Sequence, residues 1–513
     1  MKPMKLPILA LFAIPVMAQS PAPSGGGSQP SAIQLPASGR NNQGGSVNAA
    51  EQSVAGTTSS VNTLNPTVQV SGPYSGSMRS TTAMPFSGKL SLANALERGL
   101  AFNLGAVGVA HTASQNAAQV RVTRSALLPN LSASLNETVQ QTDLAALGLH
   151  VSTPFFAIPQ VAGPFNYYNL QASLSQSIAN LTSINNYRAA RATARAGQYS
   201  TEDARDLVTL AVGGAYLQVL AAQARLEAAQ AQLDTANAVF HQSSEQHGQG
   251  VLGKLNVDQS QVRALSQQQQ VITLRNDLAK KKIALARLVG LAPNADYQLT
   301  DAFAYSPAPV GTVEEAVAQA GRDRADLKAA QAQVEAATKA LAAARSERLP
   351  SLSVSGSYET IGVNPAQSHG AFTAVGTLNI PLWQGGRTEG DIAQAKTVLA
   401  QRRAELEDTR GQIEAEVRQV YLDLEAAAGQ VAVAKQNAQV AQETLEMTQA
   451  RMQAGVVNTL EVVQAQQTVA MAQLDLIDAI FAHNLAKLSL ARALGHAPER
   501  VGKLLESAGE KGK

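Results

Sequence analysis

The chain has 513 residues, enough for several ordinary domains or one elongated one. Only 15% of them are charged and the formal net charge is +2, so the clustered Lys/Arg surface of a nucleic-acid binder is not there. With no cysteine, the chain is excluded from disulfides, thiol catalysis, thiolate metal sites and an N-terminal thioether lipid.

The N-terminus reads as a signal peptide over residues 1–18. Lys2 and Lys5 precede the apolar run Leu6 to Val16, and Val16-Met17-Ala18 puts small residues ahead of Gln19. Pro3, Pro7 and Pro15 argue against a buried helix there. No later apolar run reaches the ~20 residues of a membrane helix, so any membrane crossing falls to strands. Residues 19–86 are rich in Gly, Ser, Pro, Asn and Gln, as in Pro23-Ser24-Gly25-Gly26-Gly27, and this composition predicts disorder.

Ser91 then caps a helical pattern that runs, with one break near Gly105, to Leu128 and stops at Pro129. The design returns 221 positions later, where Thr312 opens a helix predicted to run to Leu349 and Pro350. Behind each proline comes period-two alternation. Leu131, Ala133 and Leu135 alternate with Ser132, Ser134 and Asn136, and Leu170, Ala172, Leu174 and Ile178 with Gln171, Ser173, Ser175 and Ser177. In the second half Leu352, Val354 and Tyr358 alternate with serines, and Phe372, Ala374, Leu378 and Ile380 with Thr373, Thr377 and Asn379. These are four strands of about ten residues, the length of a transmembrane β-strand. Their second face is Ser/Thr/Asn, which suits a watery lumen opposite lipid; a soluble sheet packed on a core is the alternative. The loop 141–167 between the first two strands is long and carries Phe155, Phe156, Phe165 and Tyr167, whereas 361–370 is short and polar.

From Leu181 the chain is helical without a proline until Pro293. The ~66 residues to His247 span on the order of 100 Å. A step-seven stripe of Val212, Val219, Leu226, Leu233 and Phe240 lies beside Ala215, Ala222, Ala229 and Ala236, and Val417, Leu424, Val431, Ala438 and Leu445 repeat it beside Val420, Ala427, Ala434 and Ala441. Such a heptad specifies coiled-coil packing. The two halves keep a constant offset of 205 positions: Tyr216 returns as Tyr421, Gly250 as Gly455, Leu285-Ala286-Arg287 as Leu490-Ala491-Arg492, Gly290 as Gly495 and Pro293 as Pro498. The chain therefore divides into a first repeat at 87–300, a second at 301–498, and a polar tail at 499–513. Four strands cannot close a barrel, for which about eight are needed, and open edges do not survive in lipid. Several chains must pool their strands, with the helices continuing the wall as a tube.

The duplicated hairpins, the prolines Pro129 and Pro350 before strands, Ile380-Pro381-Leu382-Trp383-Gln384-Gly385-Gly386-Arg387, and the two glycine turns resemble the TolC family of outer-membrane efflux proteins over residues 88–498. The fold class implied is α plus transmembrane β: a homotrimer whose four strands per chain form a 12-stranded β-barrel continued by an α-helical barrel in the periplasm. The resemblance further implies a passive exit duct without catalysis or cofactor. Its partners are a periplasmic adaptor protein, an inner-membrane transporter and outer-membrane lipid, with no nucleic acid. Adaptor contact falls on Gly250, Val251, Leu252 and Leu255 at one tip and Gly455, Val456, Val457 and Leu460 at the other; tight turns with buried leucines are the alternative. The channel constriction falls on Glu461, with Gln464 where some members carry a second acidic ring. The Tyr–Arg–Asp latch of some members maps onto Met452, Val457 and Asn256, none of which matches. A drug, metal or polypeptide substrate is equally compatible with these residues, and a non-conducting coiled coil of the envelope is the alternative from another class.

The seven histidines show no metal-ligand spacing. Phosphate-loop and nucleophile-elbow motifs are missing from the sequence, which reads as that of a non-enzyme.

Overall fold

The computed structural model of the chain describes residues 46–51, 66–79 and 86–505, except positions 145, 147, 149–151, 154–155, 158–159, 309–310, 455 and 458. The expected signal peptide lies outside the described residues. The described residues begin with a two-stranded antiparallel pair, β1 (Val47–Glu51) and β2 (Pro66–Val70). This corrects the expectation of disorder at 46–51 and 66–79; the rest of the 19–86 stretch up to residue 85 lies outside the described residues. Val47 and Tyr74 are buried, and Val68 and Val70 pack on the main core. Averaged composition hides these few apolar residues, which are buried on a surface that the long helices supply.

β3 (Lys89–Leu90) leads into α1 (Leu92–Phe102) and α2 (Leu104–Ser125). The Ser91 hydroxyl accepts from Asn94 N at 3.2 Å, satisfying one of the orphan donors of the first turn. The break falls at Asn103, which is fully buried: its Oδ1 accepts from Gly105 N (2.8 Å) while its Nδ2 donates to the Tyr74 carbonyl (2.8 Å). Next come β4 (Asn130–Asp143), the short β5 (Ser152–Thr153) and β6 (Phe156–Ala157), and β7 (Val161–Ala179). β4 and β7 stay paired out to Asp143 and Val161, so the loop is shorter than the 141–167 expected.

α3 (Leu181–Gly248) has 68 residues and returns through α4 (Lys254–Leu288). One stretch of α3 is long and apolar enough to cross a membrane, contrary to the sequence expectation, but 72% of it is buried inside the protein as a core helix. β8 (Gln298–Leu299) pairs in parallel with β3 and closes the first repeat.

The second repeat opens with α5 (Val313–Asp323), where Thr312 and Glu315 form a reciprocal capping box. The single helix expected from Thr312 to Leu349 is instead broken at Arg324, giving α6 (Ala325–Ser346). Arg324 stands 221 positions after Asn103, so both repeats bend at the same place. β9 (Ser351–Gly362), β10 (His369–Asn379), α7 (Arg387–Gln453) and α8 (Thr459–Leu494) complete the repeat. The residues expected as a polar tail begin as α9 (Ala497–Leu505); Val501 is fully buried and Asp206 Oδ1 accepts from Ala497 N at 2.8 Å.

The four long strands form one antiparallel sheet in the order β10–β9–β7–β4, with β7 and β9 joining the repeats. At the other end α4, α3, α8 and α7 pack side by side in that order, leaving α4 and α7 at the edges. The heptad seams behave as read: Val212, Val219, Ala222, Ala229 and Ala236 are buried on α3, and Val417, Leu424, Val431 and Leu445 on α7. Leu226, Leu233 and Phe240 are half-buried.

Candidate functional site: sheet, hairpin tips and first turn of α8

Strand register sorts the sheet into two chemically distinct faces. Leu131, Leu174, Gly356 and Ala374 form one row across all four strands, Ala133, Ala172, Tyr358 and Phe372 the next, and Leu352 pairs with Leu378. Leu131, Leu135, Val139, Phe372 and Leu378 on this face are more than half exposed. The interleaved rows are polar: Ser132, Ser173, Ser357 and Thr373 align, and the Ser132 and Ser173 hydroxyls meet at 2.8 Å. An apolar face of this width with no core over it calls for a hydrocarbon environment, and the hydroxyl face calls for water. Beyond β10, Leu382 and Trp383, 93% and 88% exposed, extend the apolar surface past the strand end.

The first tip follows from how α3 stops. Gly250 adopts φ +76°, a left-handed conformation that disfavours a side chain. The Gly250 N–H donates to the His247 carbonyl (2.9 Å) and the Val251 N–H to the Gln246 carbonyl (2.9 Å), the pairing of a Schellman stop. His247 Nδ1 lies 2.7 Å from the Leu252 carbonyl, tying the turn to the helix end. The result presents Val251 and Leu255 to solvent, 72% and 69% exposed, while Leu252 is half-buried. At the second tip Val456 N donates to the Arg451 carbonyl (2.9 Å), the same long bond at the equivalent position. Val456 and Leu460 are exposed, Val457 is half-buried, and Gly455 lies outside the described residues.

Glu461 and Gln464 sit one turn apart on an exposed face of α8, while Val462, between them in sequence, is fully buried against α7 and α3. Of the positions where the family latch would lie, Asn256 and Val457 occupy the two tips and Met452 packs against the core between α7 and α8.

Sequence reasoning missed an ion cluster that ties the repeats together. Arg492 on α8 donates to Asp203 on α3 at 2.7 Å and approaches Asp326 at 3.8 Å. Arg324, buried at the α5–α6 break, reaches Asp326 (2.7 Å) and Glu416 (2.5 Å). Burial opposes the charge on Arg492, but Asp203, Glu416, Asp326 and Asp206 together raise its pKa. Burial pushes Asp203 up to about 6, with Arg492 pulling the other way. The duplicated Leu-Ala-Arg motif was the only available signal, and it misleads: Arg492 is buried, whereas its repeat mate Arg287 is exposed. Among the described residues no group of His, Cys, Asp or Glu is arranged to hold a metal.

The described fold is a duplicated, four-helix-wide shaft carrying a membrane-type sheet at one end. The family model for outer membrane efflux proteins matches residues 106–291 and 316–496, and the chain belongs to that family, as the resemblance to TolC anticipated. It is an outer-membrane protein. Among curated relatives, the outer membrane efflux protein BepC of Brucella suis is 28% identical over 43% of this chain and 48% of its own length. The pyoverdine export outer membrane protein OpmQ of Pseudomonas aeruginosa is 26% identical over 60% of this chain and 65% of its own. The chain thus spans about half to two thirds of these relatives. The crystal structure of the Campylobacter jejuni CmeC outer membrane channel superposes with a TM-score of 0.68 at 18% identity, over 79% of this chain and 85% of that one.

Proposed function

We propose that the chain is one third of a passive outer-membrane exit duct. Three copies pool their sheets into a 12-stranded β-barrel, which the helices continue as a periplasmic tunnel. The observation that carries this reading is the sheet itself, apolar on one face, hydroxyl-rich on the other, and unpaired along both β4 and β10. An open edge in lipid leaves backbone groups unsatisfied at several kcal/mol each, so β10 of one copy pairs with β4 of the next.

The edge helices supply the matching seam. Val433, Val440 and Met447 recur every seven residues on α7 and are 66%, 53% and 61% exposed. Leu265 and Ile272 on α4 are spaced alike and exposed. These stripes cover each other when copies stand side by side. The tips then face the periplasm, where Val251, Leu255, Val456 and Leu460 offer apolar contacts to an adaptor that couples the duct to an inner-membrane transporter. Glu461 rings the narrow end. The transporter, rather than the duct, selects the cargo. Nothing in the family or fold favours the non-conducting coiled coil. Membrane fractionation followed by gel electrophoresis with and without boiling tests the reading. An outer-membrane, heat-modifiable trimer is expected; a soluble protein that migrates identically under both conditions contradicts it.

A further inference from the structure

The apolar face of the sheet does not stop where the strands end. Ile178 at the base of β7 is followed by Leu181, the first residue of α3, and both are exposed. Leu128 and Leu349 are exposed just ahead of β4 and β9, and Leu382 and Trp383 just after β10. Below this apolar rim the four helices that join the sheet carry a band of cations.

Leu181, Arg188 and Arg195 recur every seven residues along one exposed stripe of α3. Arg195 pairs with Glu335 on α6 (3.0 Å), and Arg348 on α6 pairs with Glu389 on α7 (2.9 Å). Arg345 lies on the ridge of α6 between those two ion pairs, and Lys396 lies seven residues after Glu389, so both share the surface of Arg188. On α2, Ala113 and Asn116 pack against Gly197 of α3, and the helix turn brings Arg121 and Arg124 round to that same surface. Arg121, Arg124, Arg188, Arg345 and Lys396 are exposed, and their side chains make no ion pair or hydrogen bond among the described residues. Arg191 rests over the Tyr187 ring, 5.8 Å from its centre.

The acids that would neutralise this band are missing. Residues 104–128 and 181–201 hold five arginines and no Asp or Glu, in a chain whose 40 Lys and Arg are nearly matched by 38 Asp and Glu. On α6 and α7 the nearby acids are already engaged or enclosed. Glu347 is buried, Glu389 pairs with Arg348, and Asp391 lies 4.0 Å from Arg387. Like charges held side by side repel one another, so the band calls for an anion from outside the chain.

We propose that this collar binds the phosphate groups of phospholipids in the leaflet that faces the helices, with a preference for lipids of net negative charge. The proposal rests on the reading of the apolar sheet face as a lipid contact. At roughly 1.5 Å per residue, Arg124 and Arg345 lie ~6 Å beyond the rim leucines of their helices, and Arg121 and Arg188 ~10 Å. Headgroups extend about 5–8 Å past the hydrocarbon, and the long stems of Arg and Lys bend back toward them. The guanidinium fork matches phosphate oxygens, and a net negative lipid adds an attraction that a zwitterionic one lacks. Because the collar runs on without a break from the apolar rim, its anion is one attached to hydrocarbon rather than a soluble polyanion.

Trp383 is the chain's single tryptophan and stands on the rim, so its fluorescence reports the lipid beside it. The full-length protein is reconstituted in phosphatidylcholine, and Trp383 is quenched by titrating in brominated phosphatidylcholine or brominated phosphatidylglycerol. The expected result is a several-fold preference for phosphatidylglycerol at low salt that shrinks at high salt. The combined variant Arg124→Gln, Arg188→Gln and Arg345→Gln should quench equally with both lipids. Arg275→Gln with Lys280→Gln, exposed on α4 away from the sheet, should keep the preference. Equal quenching in the unaltered protein would overturn the proposal and leave the lipid-facing sheet standing, as would a preference that survives in the triple variant. A Trp383 that neither lipid quenches would overturn the lipid-facing sheet, and the collar with it.

Discussion

Arg492, two residues before the end of the second repeat's return helix, places its guanidinium 2.7 Å from Asp203 on the long helix of the first. Through Asp326 and Arg324 the contact continues to Glu416, so α3, α6, α7 and α8 are joined by one buried polar cluster. Its two arginines face Asp203, Asp206, Asp326 and Glu416, and removing either cation leaves buried carboxylates without compensation.

Arg492→Met keeps much of the side-chain volume but strips the cluster of its central charge. It should cost about 3 kcal/mol, as breaking a buried ion pair does. Thermal denaturation in detergent reads this as a clear drop in Tm, whereas Arg287→Met, at the exposed counterpart, should leave Tm nearly unchanged.

The acidic excess also fixes the sign of a pH effect. Asp203 is raised to about 6 in the fold from an ordinary carboxyl value near 3.8, chiefly by burial. The fold therefore favours its protonated form, and this group's contribution to stability increases as pH falls from above 6 toward 4. Denaturation at a series of pH values should show that rise in the unaltered protein and lose it in Asp203→Asn.

Val440→Asp puts a charge into the stripe between Val433 and Met447 without touching the chain's own core, since Val440 is 53% exposed. Buried in a seam between copies, an unpaired carboxylate is strongly unfavourable. Native gels or light scattering should show the variant dissociating while its circular dichroism is retained.

Glu461→Gln removes the negative charge that the proposed duct places at its narrow end, while Gln464, on the same exposed face, is already neutral. A ring of three carboxylates favours cations. Reversal potentials in a salt gradient should shift toward non-selectivity in the variant; an unchanged potential would remove Glu461 from the constriction.

Patterns repeated along the chain were the legible part. Alternation at Leu131-Ser132-Ala133-Ser134 marked strands, heptads at Val212 and Val219 marked the seams, and Gly250 marked the turn, because each is set by local geometry. The expectations that shifted were non-local. Arg324 breaks a helix of good formers because its guanidinium is held by Asp326 and Glu416, 92 residues away in the latter case. Val68 and Tyr74 escape a disorder-like composition because α2 and α3 bury them. α9 folds because Asp206, 291 positions earlier, caps it. Single-sequence periodicity carries no signal for such partners.

The central claim is that this sheet is one third of a closed wall around a continuous pore. Single-channel recording of the detergent-purified protein in planar bilayers, with its mass measured by light scattering, tests it most directly. A trimer that opens discrete conducting events is predicted. A monomer that stays in solution without detergent and gives no conductance would contradict the account.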